Sequence, residues 1–591
     1  MINPLPPQFI FLLGGLLIPL FRGWVRTAFM LFLPVLAFYN YLLLEEGTYW
    51  TATILGFDLI LGRVDGLSLI FLNVFIVITF IGIIYNSHVR GRMEHFSAFL
   101  YSGSALGVIL AGDLITFFVF WELLTVGASF LLLVRKTARS LGAAVRYTLV
   151  HVLGGLVLLA GILLHIHQTG STGFGQIGLN GLPGYLIFFG FGLNCAWPFL
   201  HSWLTATYPE STAGGIVFMA TFTTKTANYA LLRGFPGEPS LIWIGTAMAT
   251  FPIFYAVIEN DLRKVLAYSL INQVGFMVVG IGIGTGLAMN GSAAHVYSDI
   301  LFKALLFMAV GAVLYRTGKT KATELGGLFR SMPFTGVCCI IGAASISAFP
   351  LFSGFASKSI IMSAAAEGHL TVIWLLLLFA SAGVFHHAGI KIPFFAFFSH
   401  DSGIRVKEAP WNMRIAMGLA ALACIAIGTF PHQTIYPLLP FEAPVYQPYT
   451  FSHVMAQSLL LIFSALAFTL LLLSGIYPSE IRSVNIDSDW LYRRGGAFFY
   501  RIFDRSLNGI NAMAHKTVVA GLTGALARFA AAGPARLANF LLSGYWALTG
   551  KTAQQRDHLR TAVMINLEKG ALPVGLAALV AVVVLGVLFF I

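Results

Sequence analysis

The chain has 591 residues, of which 58% are apolar and only 10% charged, with a formal net charge of +12. Apolar runs of about 18 or more residues recur along it, which excludes a water-soluble fold. The runs are continuous rather than alternating, which excludes a transmembrane β-barrel, and the basic excess lies in loops, where it speaks to topology and anionic lipid rather than to nucleic acid.

In chain order the sequence predicts helices at 5–22, 26–44, 66–85, 95–112, 114–134, 143–166, 184–207, 213–233, 241–258, 264–285, 292–315, 334–365, 369–398, 412–430, 454–476 and 572–591. The first apolar stretch, Phe9–Phe21, is followed by Arg22 and Arg26 and lacks a small-residue cleavage site, so it is expected to stay as a helix. The loops alternate in charge. One side receives Arg22/Arg26, Arg90/Arg92, Arg135/Lys136/Arg139, Arg263/Lys264, Arg316/Lys319/Lys321 and Arg405/Lys407. The other receives Glu45/Glu46/Asp58, Asp113, the neutral 167–183 and 286–291 loops, and 431–453. The basic side is the cytoplasmic one, which places both termini outside a bacterial-type inner membrane.

The segment 477–571 breaks this pattern. NGINAMAHKTVVAGLTGALARFAAAGPARLANFL mixes Ala, Leu and Phe with spaced Lys and Arg. It reads as an amphipathic segment, too polar to span, lying along the membrane or along other helices; a plain cytoplasmic linker is the alternative. The chain is thus an all-α polytopic membrane protein. It divides into N-terminal helices (1–94), two halves (95–233 and 241–398), further spans (412–476), the lateral segment (477–571) and a final span (572–591).

Charges inside the spans carry the functional signal. LITFFVFWELLTVGASFLLL (Leu114–Leu133) holds Glu122 near its middle, where a carboxylate is costly to insert. Lys225 sits in MATFTTKTANYALLRGF. HVYSDILFKALLF places His295, Asp299 and Lys303 at i, i+4 and i+8, on one helix face. Either Asp299 and Lys303 neutralise each other there, or all three belong to a proton wire with His295 as its switchable group. Lys358 follows the Pro350/Gly354 break in SAFPLFSGFASK, and Lys391 lies where a lysine either snorkels to the headgroups or joins the row. Pro198 interrupts NCAWPFLHSWL in the first half as Pro350 does in the second. Unwound backbone at membrane depth is tolerated only where it is buried in protein or lines a cavity, and interrupted helices paired between two halves point to a transporter. A row of intramembrane charges marks a proton or ion pathway. Cys195, Cys338, Cys339 and Cys424 show no metal-ligand spacing and read as packing residues. No cofactor, metal or nucleotide is expected.

These residues also carry a family resemblance. DLITFFVFWELLTVGASFLL, YPESTAGGIVFMATFTTKTANYALLRGFPG, NDLRKVLAYSLINQVGFMVVGIGIG, HVYSDILFKALLFMAVGAVLYRTG and PLFSGFASKSIIM resemble the antiporter-like subunits shared by Mrp-type sodium/proton antiporters and respiratory complex I. TTK…YALLRGF and SGFASKS look most like the Mrp D subunit. The resemblance spans about residues 60–400. It implies some fourteen core helices with two inverted five-helix repeats, and a chain of protonatable residues along the mid-plane. It implies that Glu122 is half of a switching Glu–Lys pair, that Lys225, His295, Lys303 and Lys358 belong to the row, and that DWLYRR leads into the lateral segment. Two positions depart from the pattern. Where the family has lysine in K-A-A-x-P, this chain has Asn194, which carries no charge; where it usually has histidine, this chain has Asp299. Glu122 therefore pairs elsewhere, with Lys225 or with a neighbouring protein of the complex, or coupling is altered.

The expected function is that of a proton-conducting membrane subunit of a multi-subunit monovalent cation/proton antiporter. Its partners would be other membrane subunits, protons, sodium or another monovalent cation, and lipids. The rivals are a pumping subunit of a redox complex (NADH–quinone, formate or hydrogenase-linked) and the membrane partner of a solute or inorganic-carbon uptake system. In none of these does the chain hold a catalytic centre of its own.

Overall fold

A computed structural model describes residues 5–54, 56–475, 485–569, 581–586 and 588. The chain divides into two compact units, Met1–Asp489 and Trp490–Ile591. The first opens with helices α1 (Pro7–Leu17) and α2 (Gly23–Leu42), then a β-hairpin of β1 (Gly47–Ile54) and β2 (Phe57–Val64). The hairpin replaces the loop expected there. Thr, Tyr, Trp and Ile favour extended backbone, and Ile54 pairs directly with Phe57 across a tight turn in which Gly56 takes a φ of +83°.

The helical body follows: α3 (Gly66–Asn86), α4 (Arg92–Leu110), α5 (Leu114–Leu133), α6 (Ala138–Thr169), α7 (Gly181–Asn194), α8 (Ser202–Thr207), α9 (Gly215–Thr221), α10 (Thr223–Gly234), α11 (Pro239–Ile258), α12 (Leu262–Ile283), α13 (Gly286–Thr317), α14 (Pro333–Ile346) and α15 (Ser353–Glu367). Then come α16 (Thr371–Phe398), α17 (Trp411–Thr429) and α18 (Phe451–Leu473). Eleven described helices are long and apolar enough to cross a membrane. Burial is 94% in the apolar windows of α12 and α13 but 11% in that of α18, so α12 and α13 form the centre and α18 the rim. The protein is a multi-pass helical membrane protein.

Acidic residues in the loops do structural work. Asp113 caps α5 by accepting from the N–H groups of Ile115 (2.9 Å) and Thr116 (2.8 Å), and its other oxygen accepts from Ile60 N–H of β2 (2.7 Å). Asp261 caps α12, and Asp65 caps α3 in a reciprocal box with Ser68.

Three predicted helices, 184–207, 213–233 and 334–365, are each broken in two. The breaks after α7 and α14 are the same device. Each helix ends with an alanine in the left-handed region, Ala196 (φ +61°) and Ala348 (φ +56°). The alanine N–H bonds back three residues, and the next N–H bonds back five: Ala196→Leu193 with Trp197→Gly192, and Ala348→Ser345 with Phe349→Ala344. That is a helix-terminating Schellman motif built without glycine. A type II turn follows, with proline second and a left-handed residue third: Trp197-Pro198-Phe199-Leu200 and Phe349-Pro350-Leu351-Phe352, with φ of +68° at Phe199 and +74° at Leu351. Four non-glycine residues in this region each cost about 1–3 kcal/mol, so packing must hold them. Gly354 shows how closely the second break packs: a side chain there would run into the Ser345 carbonyl.

The second unit is described by itself. α19 (Asp489–Leu548) is a 60-residue helical run with a π-helical turn at His515–Leu522, and α20 (Ala553–Lys569) follows. These residues are helical, as expected of 477–571, but the 60-residue run contains a window apolar enough to cross a membrane and is one of the eleven helices counted above, against the expectation that the segment is too polar to span. Of the expected final span, 572–591, only 581–586 and 588 lie within the described residues.

Arg233, at the end of α10, is buried and donates to Asp65 (2.9 Å) and to the Tyr229 hydroxyl (2.9 Å). Burial pushes the Asp65 carboxyl up, but Arg233, Ser68 and Arg63 outweigh it and hold it below its ordinary 3.8. Its stabilising contribution is therefore complete above the unfolded value and is lost as pH falls through the lower folded one. Asp65→Ala is expected to destabilise the purified protein by about 3 kcal/mol or more, because it strands a buried guanidinium and removes a helix cap. A thermal-unfolding midpoint in detergent that matches the native protein would refute this.

Candidate functional site

The breaks deliver the buried charges. Between α9 and α10 the helix is interrupted at Phe222, and Lys225, one turn on, folds its ammonium back onto the Ala220 carbonyl (3.0 Å). The same ammonium reaches Asp299 of α13 at 2.7 Å, with both side chains fully buried. The pairing expected along α13, Asp299 with Lys303, does not form. Lys225 reaches the shared face from α10 and takes the carboxylate, while Lys303 donates to the Ser269 hydroxyl of α12 (2.7 Å). Breaking a helix frees a lysine to approach from another element, and that outweighs the spacing within α13.

His295 lies two turns before Lys303 on α13. Gln273 donates its own amide N–H to Asn272 Oδ1 (2.5 Å), which turns its Oε1 to accept from His295 Nε2–H (3.1 Å). Nδ1 then faces the Ser357 hydroxyl (3.1 Å). Ser357 adjoins Lys358 on α15. The Lys358 ammonium donates to the Ile346 carbonyl at the end of α14 (3.0 Å) and lies 4.9 Å from the centre of the Phe276 ring. Lys391 does not snorkel. It is fully buried between two π-helical turns of α16, and donates to the Ala256 (3.3 Å), Val257 (2.6 Å) and Glu259 (2.7 Å) carbonyls where α11 ends.

The structure thus brings Lys225, Asp299, Lys303, His295 and Lys358 to neighbouring faces of α10, α12, α13 and α15. Glu122 stands apart. It packs against Gly155 of α6, where any side chain would collide with its carboxylate. Its Oε1 is buried without a hydrogen-bond partner, and Glu122 makes no ion pair among the described residues. Lys225, committed to Asp299, is not its partner.

The sequence pattern did not single out three polar groups. His151 on α6 holds Asn194 Oδ1 through Nδ1 (2.8 Å), and its ring lies 4.0 Å from that of Tyr147 and 4.4 Å from that of Trp203. Thr223, at the α9/α10 break, is within 2.6 Å of the Tyr101 hydroxyl and 2.8 Å of the Tyr147 hydroxyl. Asp487, ahead of α19, is buried against His201 (3.0 Å) and the Tyr268 hydroxyl (2.7 Å). A lone histidine beside a glycine pair in VHVLGGL was the available signal for His151. Neither of the other two has a local signature.

Residues 111–385 match the NADH:quinone oxidoreductase/Mrp antiporter transmembrane family, a region that contains Glu122 and every residue of the α10–α15 cluster. Over that region the chain is similar to the antiporter-like membrane subunits of this superfamily. It is similar to the probable K(+)/H(+) antiporter A/B protein of Rhizobium meliloti (strain 1021), 30% identical over 64% of this chain and 41% of that one; the chain thus spans less than half the length of that relative. It is also similar to the putative antiporter subunit mnhD2 of Staphylococcus aureus (strain MRSA252), 26% identical over 62% of this chain and 78% of that one. Among solved structures, a chain of the Mrp complex from Dietzia sp. DQ12-45-1b superposes with a TM-score of 0.74 at 23% identity, covering 88% of this chain and 62% of that one. A chain of the archaeal membrane-bound sulfane sulfur reductase gives 0.72 at 24%, covering 89% and 98%. At that identity both show the fold alone.

The Lys225–Asp299 pair makes a direct prediction. Asp299→Asn strands a buried ammonium and is expected to cost about 3–5 kcal/mol, whereas Lys225→Gln combined with Asp299→Asn removes both charges and recovers most of the loss. Unfolding midpoints for the two single variants and the double variant provide the check; additive losses would mean the pair is not coupled.

Proposed function

We propose that this protein is a proton-conducting membrane subunit of a multi-subunit monovalent cation/proton antiporter, with Glu122, Lys225, Asp299, His295, Lys303, Lys358 and Lys391 as its proton-bearing row. One observation carries the reading. Four buried basic groups, at Lys225, His295, Lys303 and Lys358, gather around a single buried carboxylate, Asp299. One carboxylate balances one ammonium. Among the described residues the remaining groups have carbonyl, hydroxyl, amide or ring partners, so the charge on each depends on that of its neighbours. Moving a proton at one member changes the cost of charging the next, which is what a conducting row requires.

The names of the relatives support antiport, and the two superposed structures come from multi-subunit assemblies, which supports partner subunits in the membrane. The shared Schellman-plus-proline breaks support reading 95–233 and 241–398 as two copies of one unit. The loop charges support a bacterial inner-membrane location with both termini outside. A redox-driven complex is the second reading: the sulfane sulfur reductase chain is covered over 98% of its length, against 62% for the Mrp chain. Partners that co-purify in mild detergent separate the two, since iron–sulfur proteins favour the redox complex and small hydrophobic subunits the antiporter.

Glu122→Gln is expected to abolish proton-coupled transport in everted vesicles, read as collapse of a ΔpH on cation addition, with the assembled complex still present at native level. Transport at the native rate would remove Glu122 from the path. Gly155→Ala, which forces the Glu122 carboxylate out of its place, is expected to lower the rate by at least tenfold in the same assay.

A further inference from the structure

Glu122 needs a base. A carboxyl group hands on a proton only if an acceptor lies within reach, and the row offers it none directly, because Lys225 is held by Asp299 and the Ala220 carbonyl. The lysine that the family pattern would place at the end of α7 is Asn194 here. We propose that His151 of α6 is the proton-accepting partner of Glu122, supplying from the neighbouring helix the titratable group that Asn194 lacks. This deepens the proton-conduction reading and rests on it.

The geometry is specific. The Glu122 carboxylate lies against Gly155, and His151 is one turn earlier on the same face of α6, about 6 Å along the axis. A change of glutamate rotamer or one bridging water covers that distance. His151 is 1% exposed, and its Nε2 is buried without a partner. Its other nitrogen is fixed: Asn194 Oδ1, at 2.8 Å, accepts from Nδ1–H. The neutral ring therefore presents the lone pair of Nε2, the atom that would take the proton. Asn194 thus sets the histidine tautomer without titrating itself.

In the transfer the O–H bond of the Glu122 carboxyl breaks and an N–H bond forms at His151 Nε2, leaving a carboxylate and an imidazolium a helical turn apart. Two aromatic rings flank the imidazole. Tyr147 lies beside the imidazole with ring centres 4.0 Å apart, and Trp203 at 4.4 Å, and aromatic rings attract a desolvated cation. The indole is locked in place by its N–H bond to the Leu193 carbonyl (3.0 Å). Beyond His151 the polar track continues through the Tyr147 hydroxyl to Thr223 (2.8 Å), two residues before Lys225. The ring contact of His151 with Tyr147 and the Tyr147–Thr223 hydroxyl contact thus lead from the neighbourhood of the isolated glutamate toward the charged cluster.

The test compares Glu122→Gln, His151→Gln and His151→Gln/Asn194→Lys in the complete assembly, each in everted vesicles, with assembly measured by native gel and transport by ΔpH. The expected result is loss of at least tenfold in His151→Gln, as in Glu122→Gln, with assembly intact, and recovery to within about threefold of native when lysine is placed at 194. His151→Gln transport at the native rate overturns the proposal, and so does loss that lysine at 194 does not restore. Failure of both His151 variants to assemble assigns the histidine a packing role and also overturns it. If Glu122→Gln itself transports normally, the proton-conduction reading fails first, whatever His151 does.

Discussion

An ammonium buried among helices needs acceptors, and the interior of a helix has none to spare, because each carbonyl already bonds to the N–H four residues on. Only a helix end releases carbonyls. This constraint organises the protein. Lys225 rests on Ala220 at the α9/α10 interruption, Lys358 on Ile346 at the end of α14, and Lys391 on three carbonyls where α11 stops. Each lysine also sits at the negative end of a helix dipole. For these three lysines the break and the buried charge are one design: the helix stops where the ammonium arrives, and the ammonium satisfies what the stop exposes, whereas Lys303 relies on the Ser269 hydroxyl instead.

The breaks are themselves costly, and the sequence shows how they are fixed. Ala-Trp-Pro-Phe and Ala-Phe-Pro-Leu place an alanine and a large residue in left-handed backbone around a proline. Proline fixes its own φ and withholds an N–H, so the helix cannot resume directly. The surrounding packing then makes the strained geometry the only one available. Trp203, whose indole bonds the Leu193 carbonyl, braces the first break from the far side. A rigid interruption, unlike a flexible one, keeps each released carbonyl at a constant distance from its lysine.

The two halves differ in how charge is balanced. Around α13, one carboxylate pairs with Lys225, while the nearby Lys303 and His295 rest on a hydroxyl and an amide. Around α5 and α6, one carboxylate faces a glycine, with a histidine one turn away. Glycine at 155 gives up a side chain and so leaves room for the half-buried Glu122 carboxylate. Most other acids are occupied elsewhere: Asp65, Asp113 and Asp261 cap helices, and Asp487 is held by His201 and Tyr268. Glu122 and Asp299 are the carboxylates that lie within the spans α5 and α13.

By itself the sequence determined the class of protein, most of the spans and the residues to watch. Hydropathy and loop charge are sums over neighbouring residues, and an ionisable group inside an apolar run is conspicuous wherever the chain later folds. Pro198 and Pro350 marked the breaks for the same reason. Only the tertiary structure decided partners. The i, i+4 spacing left open a pair of Asp299 with Lys303, yet Lys225 arrives from α10 and takes the carboxylate; Lys391 read either as snorkelling from a helix end or as part of the row, and it is buried on the carbonyls of α11. His151 offered only a lone histidine beside a glycine pair, because a histidine in an apolar helix becomes significant only once Asn194, Tyr147 and the Glu122 carboxylate have been brought to its face. Pairing depends on which helix surfaces meet, and that is a property of the packed bundle that no local window contains.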